Sequence, residues 1–270
     1  EGAPVARATA TGMAAVSVVM LSMLKTGDHV VAAKAMFGSC RYVVETILPR
    51  FGIDFTLVDG EDVDQWRTAM RPNTKLLFLE TPSNPTLSIV DMKAVAKIAD
   101  EAGAVLAVDN AFATPILQRP MEFGAHVVVH STTKYIDGQG RALGGAVLCR
   151  EDFLNNHLQS FLRNTGPALS PFNAWLHLKS LETLDLRMRA HCENAQTVAD
   201  FLAGQKKIAR VLYPFRPDHP QHDLARAQMS GGGGVVSFEI AGGKAAAFRL
   251  ANALRIIDIS NNLGDTKSLI

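Results

Sequence analysis

The chain has 270 residues, of which 47% are hydrophobic, 20% charged and 7% aromatic. This is enough apolar mass for a sizeable core, and it excludes an intrinsically disordered chain. The 27 basic and 26 acidic residues leave a net charge of +1 with no clustered basic excess, so no nucleic-acid partner is expected.

In chain order, the opening EGAPVARATATGMAAV reads as the end of one helix running into the next element. Residues 13–24 are apolar enough for a buried helix but too short to span a membrane. A buried strand is expected over 28–34, a helix over 40–50, a strand over 54–59 and a helix over 62–70. A strand over 75–80 runs into the turn-rich TPSNPT. Asp91 caps a helix over 92–102 that Gly103 ends. Strands follow over 104–109, 126–131 and 144–149. This rhythm predicts an α/β fold with a mostly parallel mixed sheet and helices on both faces. Beyond it lie a long helical region with one break (171–202), a Pro- and His-rich loop (213–223), a strand (235–240), a helix (244–254) and a strand (256–260). These predict a smaller α+β C-terminal domain, so that 1–180 forms the large domain and 181–270 the small one.

Cys40, Cys149 and Cys192 are too few and too scattered for a disulfide framework, and no zinc spacing is present. They read as buried reduced thiols of a cytoplasmic protein, and no metal site is expected. His219 and His222 sit among prolines and read as part of a solvated loop. Arg187 and Arg189 on the long helix read as surface or interface charges. Neither end reads as a natural terminus, so parts of a parent protein are expected to lie outside the sequence at both ends.

In open α/β sheets, ligands bind outside the carboxyl ends of the strands. Four loops there carry polar groups: Phe37, Gly38 and Ser39; Thr81, Ser83 and Asn84; Asp109 and Asn110; and Ser131, Thr133 and Lys134. A partly shielded Lys134 would have a lowered pKa and serve as an amine nucleophile. Taken alone it reads as a surface lysine at a strand end, the usual fate of a lone Lys. A buried Asp109 would need a cationic partner, and taken alone it reads as a helix N-cap or turn residue. The glycines of GQGRALGG precede a strand rather than a helix, so they read as backbone turns and not as a dinucleotide loop.

Together the motifs ETPSNP, VDN, HSTTKYIDGQGR and SNNLGD resemble the Cys/Met-metabolism family of pyridoxal-phosphate enzymes, of fold type I, over nearly the whole chain. The resemblance implies pyridoxal 5'-phosphate as cofactor and Lys134 as the catalytic lysine that carries it as a Schiff base and moves substrate protons. It implies that Asp109 pairs with the pyridine nitrogen and keeps it protonated. The phosphate is expected on the backbone amides of Gly12 and Met13 at a helix N-terminus, with hydroxyl donors from Ser131 and Thr133. Thr132 is expected to point away. Phe37 stands where the family usually has Tyr, which keeps the stacking ring without the hydroxyl. Asn84 is expected near the cofactor's phenolic oxygen and the substrate carboxylate. Asn261 and Asn262 are expected to bind substrate. Relatives that act as lyases or cystathionine synthases often carry an acidic or aromatic residue and then Ser at this pair, so NNLGD, with FGSC and TGPALSPFNAW, resembles the sulfhydrylase branch. That branch implies γ-replacement on O-succinylhomoserine with sulfide, giving homocysteine and succinate. The alternatives within the family are the O-acetyl ester, cystathionine synthesis and γ-elimination. The family also implies a homotetramer built as a dimer of dimers. An aromatic–Arg pair upstream of Glu1 and a carboxylate-binding Arg downstream of Ile270 are expected outside the sequence.

Overall fold

A computed structural model describes residues 1–270. Seven short strands form one sheet: β1 (Val5–Thr9), β2 (His29–Ala33), β3 (Asp54–Val58), β4 (Thr74–Glu80), β5 (Val105–Asp109), β6 (Val127–Ser131) and β7 (Gly145–Cys149). Their spatial order is β1-β7-β6-β5-β4-β2-β3. The pairs from β6 through to β3 are parallel, while β7 runs antiparallel to both β6 and β1. This is the α/β architecture that the alternation of strands and helices predicts.

Side chains alternate across a strand, so each central strand feeds two cores. Leu76 and Phe78 of β4, Ala107 of β5 and Val127 and Val129 of β6 pack with Ala15, Val19 and Met20 of α1 (Gly12–Met23) and Cys40 of α2 (Gly38–Tyr42). On the other face, Leu77, Leu79, Leu106, Val108 and Val128 pack with Trp66 of α3 (Val63–Ala69) and Val95 and Ala99 of α4 (Met92–Glu101). Both α1 and α4 start on a side-chain cap. Thr11 accepts the Ala14 amide at 2.9 Å, and Asp91 accepts the Ala94 amide at 2.9 Å. Asp91→Ala is expected to lower stability by about 1 kcal/mol, read from the midpoint of denaturant unfolding.

Between β5 and β6 the chain forms the short α5 (Thr114–Leu117), and beyond β7 it runs through α6 (Glu151–Phe153), α7 (Gln159–Thr165), α8 (Pro171–Leu181) and α9 (Leu184–Ala203). A separate antiparallel pair joins β8 (Ile208–Leu212) and β9 (Ser237–Ile240). It is accompanied by α10 (His222–Gln228) and α11 (Gly243–Ala253). No helix is long and apolar enough to cross a membrane.

Several local expectations are corrected. Residues 5–9 are not the end of a helix but the edge strand β1, because their backbone pairs with β7 along its full length. Pairing to a distant strand overrides the helix preference of the alanines. The helix expected over 40–50 divides into α2, a π turn at Val43–Ile47 and a 3-10 turn at Leu48–Phe51, where Pro49 supplies no amide to the α ladder. The strand expected over 256–260 is reduced to a single bridge between Asp258 and Leu269. α6, α7, β8 and α10 form in stretches where no element is expected. His219 is buried and accepts the Gln221 amide at 3.2 Å, so the loop around it is not simply solvated. Arg187 is no surface charge: its guanidinium donates to the carbonyls of Tyr135 at 2.5 Å and Ser180 at 2.9 Å. Arg189 pairs with Asp185 in the open, as a surface charge does.

Candidate active site

The alternation that builds the α1-facing core does not stop at the strand ends. It carries Glu80 after Leu76 and Phe78, Asp109 after Ala107, and Ser131 after Val127 and Val129. Glu80 and Asp109 are register partners on β4 and β5. Three neighbouring strands therefore present a staggered row of two carboxylates and a hydroxyl on one face at the carboxyl edge, Ser131 lying two residues beyond the Val129 that pairs with Asp109. The row faces the N-terminus of α1.

Gly12 opens α1 directly against this row. A Cβ on Gly12 would stand 2.6 Å from the Ser131 Cβ and 2.8 Å from its Oγ, so only glycine allows the approach. Thr11 caps the Ala14 amide, which leaves the amides of Gly12 and Met13 at the helix start for an anion. The Thr133 hydroxyl is turned toward Gly144, accepting its amide at 3.1 Å and donating to its carbonyl at 3.3 Å. Ser131 therefore has the freer hydroxyl of the two. Thr132 points away, as expected, and meets His177 of α8 at 3.2 Å.

Lys134 follows on the turn after β6 and is half-buried. Its Nζ donates to Asn262 Oδ1 at 2.6 Å. Burial lowers its pKa, and the Asp109 charge works against that shift. Asp109 is buried, and desolvation raises its pKa, opposed by the Ala111 amide at 3.0 Å and by the charges of His130 and Lys134. An ionised Asp109 thus calls for a cation beside it.

The loop that carries Asn262 is locked onto the lysine. Gly264 has φ +81°, and a Cβ there would stand 2.4 Å from the Tyr135 amide nitrogen and 2.7 Å from the Lys134 carbonyl carbon. The Thr266 amide donates to the Gly138 carbonyl at 2.9 Å. Asn262 is therefore brought to the site, on the lysine itself. Asn261 is exposed on the same loop.

Phe37 is 41% exposed, which leaves its ring open to stacking, and its amide donates to Glu80 Oε2 at 2.5 Å. Asn84 is half-buried, and its backbone favours the ionised form of the same carboxylate. Thr81 and Ser83 serve their own loop, accepting the amides of Val90 at 3.0 Å and Ser88 at 3.1 Å. Asn110 is buried beneath the site, bonded to Glu1 and to the Gln118 carbonyl. Glu80 is the residue that sequence reasoning missed. Its signal was the same alternation that marks Asp109, carried one step past Phe78.

These residues fit pyridoxal 5'-phosphate. The glycine cradle at Gly12 with free amides and the Ser131 hydroxyl suits a phosphate. The buried Asp109 suits a protonated ring nitrogen, and the half-buried Lys134 suits an aldehyde.

Comparison with known proteins agrees with this chemistry. The sequence model of the family described as "Cys/Met metabolism PLP-dependent enzyme" matches residues 1–270. The O-succinylhomoserine sulfhydrylase of Mycobacterium tuberculosis is 50% identical over 276 residues, covering 100% of this chain and 68% of that protein. The L-methionine gamma-lyase of Porphyromonas gingivalis is 40% identical over 272 residues, covering 100% and 68%. The crystal structure of metB from Corynebacterium glutamicum superimposes with a TM-score of 0.97 at 40% identity, covering 100% of this chain and 70% of that one. The chain belongs to the Cys/Met metabolism family, and it is a pyridoxal-5'-phosphate-dependent transferase of fold type I.

Proposed function

We propose that the protein catalyses γ-replacement on O-succinylhomoserine with sulfide. The Cγ–O bond to succinate breaks, a C–S bond forms, and the products are homocysteine and succinate. The observation that carries this reading is the SNNLGD loop, which is locked over Lys134 and sets Asn262 Oδ1 2.6 Å from its Nζ. The amide pair at 261–262 is the feature that resembles the sulfhydrylase branch, and the 50% identity to a sulfhydrylase supports the same choice.

When bound, the cofactor supplies an electron sink for negative charge that develops beside the amino-bearing carbon. In this reading the residues divide the remaining work. Gly12 and Met13 amides and the Ser131 hydroxyl hold the phosphate, and Thr133 stiffens that turn. Asp109 keeps a proton on the ring nitrogen. Phe37 covers the ring face. Asn84 orients the substrate carboxylate with Asn261. Lys134 moves protons at Cα and Cβ, and Asn262 steers its amine between them.

The exposed Phe172, Trp175 and Leu178 of α8 support covering of this face by a second copy within a homotetramer. Sedimentation as a monomer would overturn that part. We place the boundary between large and small domains near residue 180, at the turn between α8 and α9, and the protein in the cytoplasm.

Steady-state turnover with the succinyl, acetyl and phosphoryl esters of homoserine, each with sulfide or cysteine, tests the assignment. Homocysteine formed fastest from the succinyl ester and sulfide is the expected result. Cystathionine from cysteine would indicate cystathionine γ-synthase activity instead. Ammonia and an oxo acid formed without sulfide would indicate a γ-lyase, an activity borne by a relative at 40% identity.

A further inference from the structure

Glu80 has no part in the chemistry described so far, yet it sits at the centre of the site. It is 3% exposed, at the carboxyl end of β4, beside Asp109 in register. Burying a carboxylate is costly unless hydrogen bonds compensate. Here the compensating donor is the backbone amide of Phe37 at 2.5 Å, from the loop after β2. The backbone of Asn84, on the loop after β4, also favours the ionised carboxylate.

Those two loops carry the ring and the side-chain amide assigned to opposite tasks at the cofactor. Phe37 lies at the very start of α2, where no side chain caps the helix. Its amide makes no other hydrogen bond. A hydrophobic residue in place of Glu80 would fill the same space without anchoring that loop. The neighbouring Asp109 charge makes the location still less favourable for a carboxylate, because like charges side by side repel. A group held at such cost needs a function that an apolar side chain cannot perform.

We propose that Glu80 is a positioning residue whose carboxylate clamps the backbone of Phe37 to the end of β4, and so would hold the Phe37 ring in place against a bound cofactor. The clamp acts through the loop after β2 rather than by touching the reacting atoms. It rests on the role given to Phe37 above.

The test compares holoenzyme and apoprotein for wild type, Glu80→Ala and Glu80→Gln. Three quantities are read: circular dichroism in the cofactor absorption band, the cofactor dissociation constant and apoprotein melting. Circular dichroism of a bound chromophore reports its tilt in the site, which a merely structural role would leave unchanged. Glu80→Ala is expected to weaken the dichroic band and raise the dissociation constant about tenfold, the scale of one lost hydrogen bond to a charged group. Apoprotein melting is expected to stay level or rise, because a buried carboxylate has gone. Glu80→Gln keeps an oxygen for the Phe37 amide but loses the charge that strengthens the bond, so its dichroic band and dissociation constant should fall between those of wild type and Glu80→Ala. Were Glu80→Ala not to fold, a dissociation constant raised in Glu80→Gln at unchanged melting would still support the clamp. Wild-type dichroism and affinity in whichever variants fold would overturn it. So would a loss of affinity matched by a collapse in melting. A wild-type protein that fails to take up the cofactor would instead overturn the cofactor role of Phe37, and the clamp with it.

Discussion

Lys134→Ala is expected to abolish the absorption band of lysine-bound cofactor and to lower turnover by about 10³-fold or more. In the proposed reading the Nζ is the amine for covalent attachment: it is half-buried and donates to Asn262 Oδ1 at 2.6 Å. Burial lowers its pKa, so a larger share of the lysine is the free amine near neutral pH than for an exposed lysine. Alanine removes both the attachment point and the proton carrier. These losses act on one reaction path, so they are not expected to add as independent terms. The fold should be spared. The backbone of Lys134 is held by its own turn, with its amide on Ser131 O at 3.2 Å, and Gly264 packs on that backbone rather than on the side chain. Apoprotein melting should therefore change little. Borohydride reduction followed by peptide mass analysis gives the decisive check. Wild type should carry the cofactor mass on the peptide containing Lys134, and the variant should carry none. A reduced adduct on another lysine would place the attachment point elsewhere.

The path from sequence to this site ran through strand ends. Strands β2, β4, β5, β6 and β7 were legible because each is short, apolar and followed by a turn, and their carboxyl ends pointed to Asp109, Ser131 and Lys134. The parts that were not legible depend on distant partners. Residues 5–9 are small and alanine-rich, and only pairing with β7 makes them a strand. Arg187 looks like any helix-surface cation until α9 is laid against the turn after Lys134, where its guanidinium meets the Tyr135 carbonyl. Asn262 was legible as a site residue through its motif, but its contact with Lys134 comes from the docking of Gly264, 130 residues away in sequence by their numbers. Glu80 was concealed by its neighbours: the turn-rich TPSNPT drew attention to the loop, while the alternation inside β4 already pointed its last side chain to the same face as Asp109. The strand expected over 256–260 failed for the opposite reason. Its Ile256 and Ile259 have the right composition but find no continuous partner strand and remain exposed.

Asp109→Asn is expected to separate catalysis from stability, lowering turnover by about 10²- to 10³-fold while raising apoprotein melting at neutral pH. The side chain keeps its shape and can still accept the Ala111 amide, now held at 3.0 Å. What it loses is the charge that, in the proposed reading, would keep a proton on the cofactor ring nitrogen. The stability sign follows from burial. Desolvation raises the folded-state pKa of Asp109, so across the window above the unfolded value the folded chain holds a proton that the unfolded chain has released. Stability is therefore greatest below the unfolded pKa and declines as pH rises through the folded one. The apoprotein at neutral pH carries that penalty, and the nearby Glu80 carboxylate deepens it. Asparagine removes the penalty, so the variant's melting should depend less on pH across the same window. A cationic ring nitrogen placed beside Asp109, as proposed, would offset the same penalty in wild type. The rise in melting on adding pyridoxal 5'-phosphate should consequently be larger for wild type than for Asp109→Asn. Paired melting curves of apo and cofactor-loaded protein, taken at several pH values, measure both differences. An apo variant that melts below wild type at neutral pH would mean that Asp109 stabilises the fold in its own right, and that its burial is not held in reserve for a cation.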